Sequence, residues 1–323
     1  MYKTLIKSLT KKVLSKLRLK YIPKALVSED YQVKLPSDFF SKYTKNLNII
    51  DLGSECYSGE MDASYKNLIS HYSCNVYCFD IQDNKTLKIL APGSNFISIQ
   101  EAVFDGTETN FYDCNPPAAS GIYPPNKPVW DRIGLPLEIK KVKRIKTKKL
   151  DDLIPKNVSI DFIKLDIQGA EITALTNGAD VLKNVSFVQA EGDFIELFEG
   201  GAPLFPEVFN FMKSKGFTFF SFGSLGLFSL AGVKRILGNG SPEFYHNHFW
   251  SKQIGFSLGI FYRGPEYFKN DPAKILNSAA IAHASYNAYD LARLILTDGV
   301  KYIPNGKKIL DEYESLLRKN NLI

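Results

Sequence analysis

From Asn46 onward, short apolar runs alternate with amphipathic segments, and this rhythm constrains the fold more than any other feature of the chain. The runs are Leu47-Asn48-Ile49-Ile50, Val76-Tyr77-Cys78-Phe79, Phe96-Ile97-Ser98-Ile99, Phe162-Ile163-Lys164-Leu165 and Phe187-Val188-Gln189-Ala190. Runs this short and this apolar are strands buried on both faces, as in a parallel sheet. Helical periodicity between them predicts crossover helices over Met61–His71, Glu171–Leu182 and Pro206–Lys215. The expected fold is a doubly wound α/β sheet. Phe217–Phe222 and Ser257–Tyr262 read as a closing antiparallel pair.

The flanks read differently. Eight basic residues, Lys3, Lys7, Lys11, Lys12, Lys16, Arg18, Lys20 and Lys24, precede the first acid, Glu29. The other 32 of the 40 basic residues face 34 acidic ones, so the net charge of +6 belongs to this N-terminal segment. Leu5, Ile6, Leu9, Val13, Leu14 and Leu17 share one face of a helix whose other face is lysine. Such a helix packs on the enzyme body, pairs with a second subunit, or lies on an anionic membrane surface. The expected organisation is a basic helix and linker over 1–45, a catalytic domain over 46–265 and a helical extension over 266–323. No signal peptide is evident.

Other readings fall away. No basic stripe with stacking aromatics sits on a recognisable nucleic-acid module, so nucleic acid is not an expected partner. Cys56, Cys74, Cys78 and Cys114 lack zinc-site spacing and read as free thiols in a reducing cytoplasm. The stretch 216–233 has no charged residue over 18 positions, but its Gly, Ser and Thr favour a buried strand and a loop over a membrane span. Residues 115–139, rich in proline, read as an ordered excursion over the active-site face rather than regular helix or central strand. Lys140–Lys149 carries seven basic residues in ten and reads as an exposed strand.

Ligands of a doubly wound sheet bind at the carboxyl ends of its strands. Four such ends carry chemistry. Asp51-Leu52-Gly53-Ser54-Glu55 closes the first strand: Gly53 admits close backbone approach, and an anionic Asp51 suits a cationic ligand and opposes a pyrophosphate. Asp80 closes the second strand, where a carboxylate can accept from both ribose hydroxyls. Glu101 and Ala102 follow the third, within reach of an adenine edge. In Asp161–Glu171, Lys164 and Asp166 are two apart on one strand face, and burying them demands partners. Asp166, Glu191 and Asp193 are candidate general bases. So is a histidine of Tyr245-His246-Asn247-His248-Phe249-Trp250, with His248 preferred. Asp166, Glu191 and Asp193 would together suit magnesium, although nothing in the sequence requires a metal. Tyr123, Trp130, Phe249 and Trp250 are aromatics able to stack on a sugar ring.

These segments resemble the FkbM family of methyltransferases. The likeness rests on Asp161–Glu171, on Leu150-Asp151-Asp152-Leu153 before it, on Glu191-Gly192-Asp193-Phe194 and Leu197–Gly201 after it, and on Pro124-Pro125-Asn126, Phe261-Tyr262-Arg263 and Tyr289-Asp290-Leu291-Ala292. It covers about residues 46–295. It implies a Rossmann-like class I methyltransferase sheet with an antiparallel final strand. It also implies S-adenosylmethionine as donor and a hydroxyl of a sugar, glycan or small natural product as acceptor. Asp51, Gly53, Ser54, Glu55, Asp80, Glu101, Ala102 and Asp166 would hold the donor, with Asp166, Glu191 and His248 acting on the acceptor. The first loop departs from the family's Asp-x-Gly-Ala-Asn-x-Gly: Glu55 replaces the asparagine and Tyr57 the second glycine. That departure motivates an alternative, a methyltransferase fold kept for binding or scaffolding without catalysis. The glycine-rich loop of a dinucleotide enzyme is absent.

Overall fold

A computed structural model describes residues 33–54, 64–81, 94–228, 230, 235–236, 242–243 and 253–323. The N-terminal basic helix, the loop residues Glu55, Cys56 and Tyr57, and the segment 245–250 with His246 and His248 lie outside the described residues.

The main sheet has seven strands: β1 (Leu47–Leu52), β2 (Cys74–Phe79), β3 (Asn95–Ile99), β7 (Phe162–Leu165), β8 (Phe187–Asp193), β9 (Thr218–Phe228) and β12 (Gln253–Tyr262). Their spatial order is β3-β2-β1-β7-β8-β12-β9. The first five are parallel, and β12 runs antiparallel between β8 and β9. The doubly wound expectation therefore holds, with the antiparallel strand next to the edge. The chain starts in the middle, winds outward through β2 and β3, and returns to the far side of β1. The order reverses between β1 and β7, which opens a crevice at their carboxyl ends.

The described helices are α1 (Lys66–His71), α2 (Lys127–Ile133), α3 (Leu150–Leu153), α4 (Glu171–Thr176), α5 (Ala179–Leu182), α6 (Phe205–Ser214), α7 (Pro272–Tyr286), α8 (Tyr289–Gly299) and α9 (Gly306–Lys319). On one face of the sheet, Ile50, Leu52, Ile163, Leu165, Val188 and Ala190 pack with Ala174 and Leu175 of α4 and Val208 and Met212 of α6. On the other face, Phe187 stacks on Tyr286 of α7, and Phe162 meets the same ring edge-on. Helix α7 is buried without break from Lys274 to Ala284, its polar Lys274, Asn277, Ser278 and His283 included. Asp271 caps it by accepting from the Lys274 amide at 3.0 Å. Its Lys274 reaches the sheet and pairs with Asp161 at 2.7 Å, both side chains being buried. Residues 36–323, the C-terminal helices included, form one compact unit.

Three expectations needed correction. The helix expected over 171–182 is two, because Asn177-Gly178 interrupts it; a side chain at Gly178 would stand 2.7 Å from Leu150. The proline-rich stretch does hold a helix, α2. Its Pro128 lies in the first turn, where no intrahelical N–H is lost, and Gly134 ends it at φ 72°. The charge-free stretch forms β9, an edge strand rather than a buried one, with Phe222 and Leu225 exposed.

Between β3 and β7 the chain builds a second sheet: β4 (Ala102–Val103), β5 (Glu108–Asn115) and β6 (Glu138–Lys148), in the order β4-β6-β5, and β10 (Arg235–Ile236) and β11 (Pro242–Glu243) pair antiparallel in a third. Strand β6 is exposed over most of its length, as the sequence predicted. Among the described residues, no helix is long and apolar enough to cross a membrane.

Candidate active site

Five parallel strands end side by side, so five loops deliver their first side chains to one edge. In spatial order these carry Glu101, Asp80, then Asp51, Gly53 and Ser54, then Asp166, then Glu191. Backbone bonds tie the loops together. The Asp80 and Glu101 amides both donate to the Ile99 carbonyl, at 3.3 and 3.0 Å, Gly53 and Ser54 donate to Phe79, and Asp166 donates to Leu52 at 3.1 Å. The described cofactor-binding candidates thus share one edge, with Ala102 opening β4 beside Glu101.

Gly53 is fixed by its neighbours. Its φ is +76°, a conformation that L side chains rarely adopt, and a Cβ there would stand 2.0 Å from the Asp166 carbonyl oxygen. The loops after β1 and β7 can lie against each other only because no side chain intervenes.

Asp51 is 3% exposed. Its Oδ1 accepts from Lys164 Nζ at 3.0 Å and its Oδ2 from the Tyr65 hydroxyl at 2.5 Å. Lys164 also donates to the Gly53 carbonyl at 3.4 Å. Burial alone would lower the Lys164 pKa. The charges of Asp51, Asp166 and Glu191 outweigh it, so the ammonium stays charged well beyond its ordinary range. The sequence predicted that Lys164 needed a partner, and Asp51 is that partner. The role of Tyr65 carried no sequence signal, since nothing marks a tyrosine 14 residues beyond an aspartate as its hydrogen-bond donor.

Across β7 and β8 the acids gather. Gln168 Nε2 donates to Asp166 Oδ1 at 2.8 Å and to Glu191 Oε2 at 2.9 Å, bridging two carboxylates. Withdrawal from water pushes the Glu191 pKa well above its ordinary value, and the charges of Asp166 and Asp193 push it further. Asp193 is raised for the same first reason, with Glu171 and Asp166 adding to it. Glu171, 2% exposed, is raised to about 7 by burial, even though its Oε1 accepts from the Ile167 amide at 2.9 Å. It holds the loop rather than capping α4. Gln168 itself has φ 55°, followed by Gly169 at 89°. A side chain other than glycine held left-handed costs about 1 kcal/mol or more, and such residues gather at functional sites. The motif Asp161–Glu171 contains Gln168 without marking a role for it. The βα turn that needs two left-handed residues was the available signal.

Among the described residues, no three His, Cys, Asp or Glu side chains are arranged to hold a metal ion, so Asp166, Glu191 and Asp193 do not form a ligand set. Residues 121–123 cover the edge: a side chain on Gly121 would stand 3.1 Å from Gln168 Cβ, and one on Gly169 3.4 Å from the Tyr123 ring. Tyr123 meets Phe104 edge-on. Trp130 is not exposed on this edge. It is buried and donates to the Leu197 carbonyl at 2.9 Å. Phe249 and Trp250 lie outside the described residues. Cys74, Cys78 and Cys114 are buried.

Residues 79–219, from the end of β2 into β9, match the methyltransferase FkbM domain, which bears out the resemblance over that span. No curated protein matches in sequence. Among solved structures, a protein of the NADB-Rossmann superfamily from Streptococcus agalactiae is similar at 10% identity and TM-score 0.31, covering 90% of this chain and 99% of its own. An uncharacterized protein from Listeria monocytogenes serotype 4b is similar at 12% identity and TM-score 0.32, covering 89% and 99%.

Proposed function

We propose, from the premise that residues 79–219 form a methyltransferase FkbM domain, that the protein is an S-adenosylmethionine-dependent O-methyltransferase acting on a hydroxyl of a sugar, glycan or similar small natural product. One observation carries this reading: the carboxyl edge of the sheet is lined by carboxylates, and the one buried cation there among the described residues, Lys164, is paired with Asp51. Such an edge suits a ligand bearing a sulfonium and an ammonium, and opposes a pyrophosphate.

The donor, when bound, supplies a methyl group on a positively charged sulfur. Asp80 would hold the ribose hydroxyls, Glu101 and Ala102 would border the adenine, and Gly53, Ser54 and Glu55 would line the amino-acid end. Asp51 acts from beneath, orienting Lys164 and the Gly53 loop. Asp166 and Glu191, bridged by Gln168, would accept the proton that the acceptor hydroxyl gives up as its oxygen bonds to carbon. Burial and the neighbouring carboxylates raise the Glu191 pKa above its ordinary value, which strengthens it as a base for that task. His248 is a second base in this scheme. Much of the rate comes from alignment of oxygen and carbon, which the covering segment 121–123 would secure by excluding water. The protein would work in the cytoplasm, with residues 1–28 serving self-association or contact with the inner face of a membrane.

The test is calorimetric titration with S-adenosylmethionine and with NAD, on the wild type and on Asp80→Ala. The expected result is micromolar donor binding, absent for NAD and weakened at least about tenfold in the variant, the worth of one charged hydrogen bond. A folded protein that binds no donor would instead leave the fold serving a binding or scaffolding role.

A further inference from the structure

The ribbon β5–β6 takes no part in the chemistry above, yet it carries the densest charge among the described residues. Strand β6 holds Lys140, Lys141, Lys143, Arg144, Lys146 and Lys148, and Lys149 follows it. Asp113 neutralises Lys143 at 2.6 Å, and Glu108 lies 3.9 Å from Arg144. Lys140, Lys141, Lys146 and Lys148 have no ion-pair partner among the described residues. Every side chain from Glu138 to Arg144 is exposed, whichever way it alternates, so this half of the strand stands clear of the body on both faces. Strand β4 pairs with β6 at Thr147 and Lys148, and among the described residues no strand pairs with the rest of that edge.

Lysines on an open edge also discourage pairing with other strands. That role does not account for Ile139 and Val142, which sit among them 45% and 49% exposed. An acidic sugar polymer would use the cations and gain nothing from two exposed aliphatic side chains. A bilayer of anionic lipid uses both, the lysines at the headgroups and the aliphatics at the acyl boundary. We propose that the β5–β6 ribbon is a contact surface for an anionic lipid bilayer. The sequence supplies a second segment of the same make-up, residues 1–28, and stable peripheral attachment takes two such signals.

The test uses the full chain, sedimented with phosphatidylcholine vesicles made with and without phosphatidylglycerol. The wild type should bind only the anionic vesicles, and less so at high salt. Replacing Lys140, Lys141, Lys146 and Lys148 by Gln should weaken binding about fivefold per charge, more than a hundredfold together. Ile139→Ser with Val142→Ser should weaken it about tenfold, because a serine pair has little to bury. A measurement free of substitutions accompanies these: hydrogen exchange of the wild type, in which amides 139–144 should gain protection on anionic vesicles. Three results would overturn the proposal. One is unchanged exchange at 139–144 on bound protein. Another is wild-type binding by both variants. The third is a serine variant that binds as tightly as wild type while heparin displaces both, which would assign the ribbon to an acidic glycan.

Discussion

Two residues at the switch point show how single atoms set the site. Gly53 sits where any side chain would overlap the Asp166 carbonyl, at 2.0 Å. Gly53→Ala is expected to lower stability by about 3 kcal/mol or more and to pry apart the loops after β1 and β7. A denaturation midpoint equal to that of the wild type would refute the close approach. Glu171 makes a different prediction. Buried, it keeps its proton up to about pH 7, whereas an unfolded chain releases it near the ordinary value of about 4.3. The folded state therefore binds more protons between those values, and this contribution to stability falls as pH rises from about 4.3 to 7, by up to about 3 kcal/mol. Glu171→Gln keeps an acceptor for the Ile167 amide and cannot ionise. It should match the wild type below pH 4 and be more stable by about 1–3 kcal/mol at pH 8. Urea unfolding at the two pH values decides; a gap that does not widen with pH would sink the argument.

At the scale of elements, the C-terminal helices are tied to the sheet by one buried ion pair. Asp161 accepts from Lys274 Nζ at 2.7 Å, from Asn277 Nδ2 at 3.0 Å and from the Asn48 amide at 2.8 Å. Lys274→Met would leave the carboxylate buried with two neutral donors, at a cost of about 3 kcal/mol. Adding Asp161→Asn should recover part of that loss. Non-additivity in the double-mutant cycle measures the pair, and strict additivity would show that the two side chains do not interact. The strands were legible in the sequence because parallel strands buried on both faces must be apolar runs. Helix α2 was hidden among prolines, since Pro128 breaks a helix everywhere except in its first turn. The exposure of β9 was hidden because an apolar strand looks the same at an edge as in the middle.

For the whole molecule, the row of acids along the carboxyl edge was legible from strand rhythm alone, because doubly wound sheets deliver the residue after each strand to one side. What each acid does was not. Asp51 reads as a ligand residue, and the sequence does not show that its two oxygens also accept from Lys164 and Tyr65. Contacts between side chains this far apart in sequence leave no local pattern to read. Nor could strand order reveal that Gln168 bridges Asp166 and Glu191, since that depends on a turn of two left-handed residues.

The place of β1 in the middle of the sheet has a consequence for how the chain is made. Asp51 leaves the ribosome 113 residues before Lys164. At about 5–20 residues per second, that is roughly 6 to 23 s, for most of which the future centre of the sheet has β2 on one side and nothing of its own on the other. During that interval Asp51 is hydrated, Gly53 has no carbonyl to press against, and the apolar flank of β1 is open to whatever the cell provides. The crevice at the carboxyl edge comes into being only when β7 arrives to close that flank, so the nascent chain acquires its candidate site late.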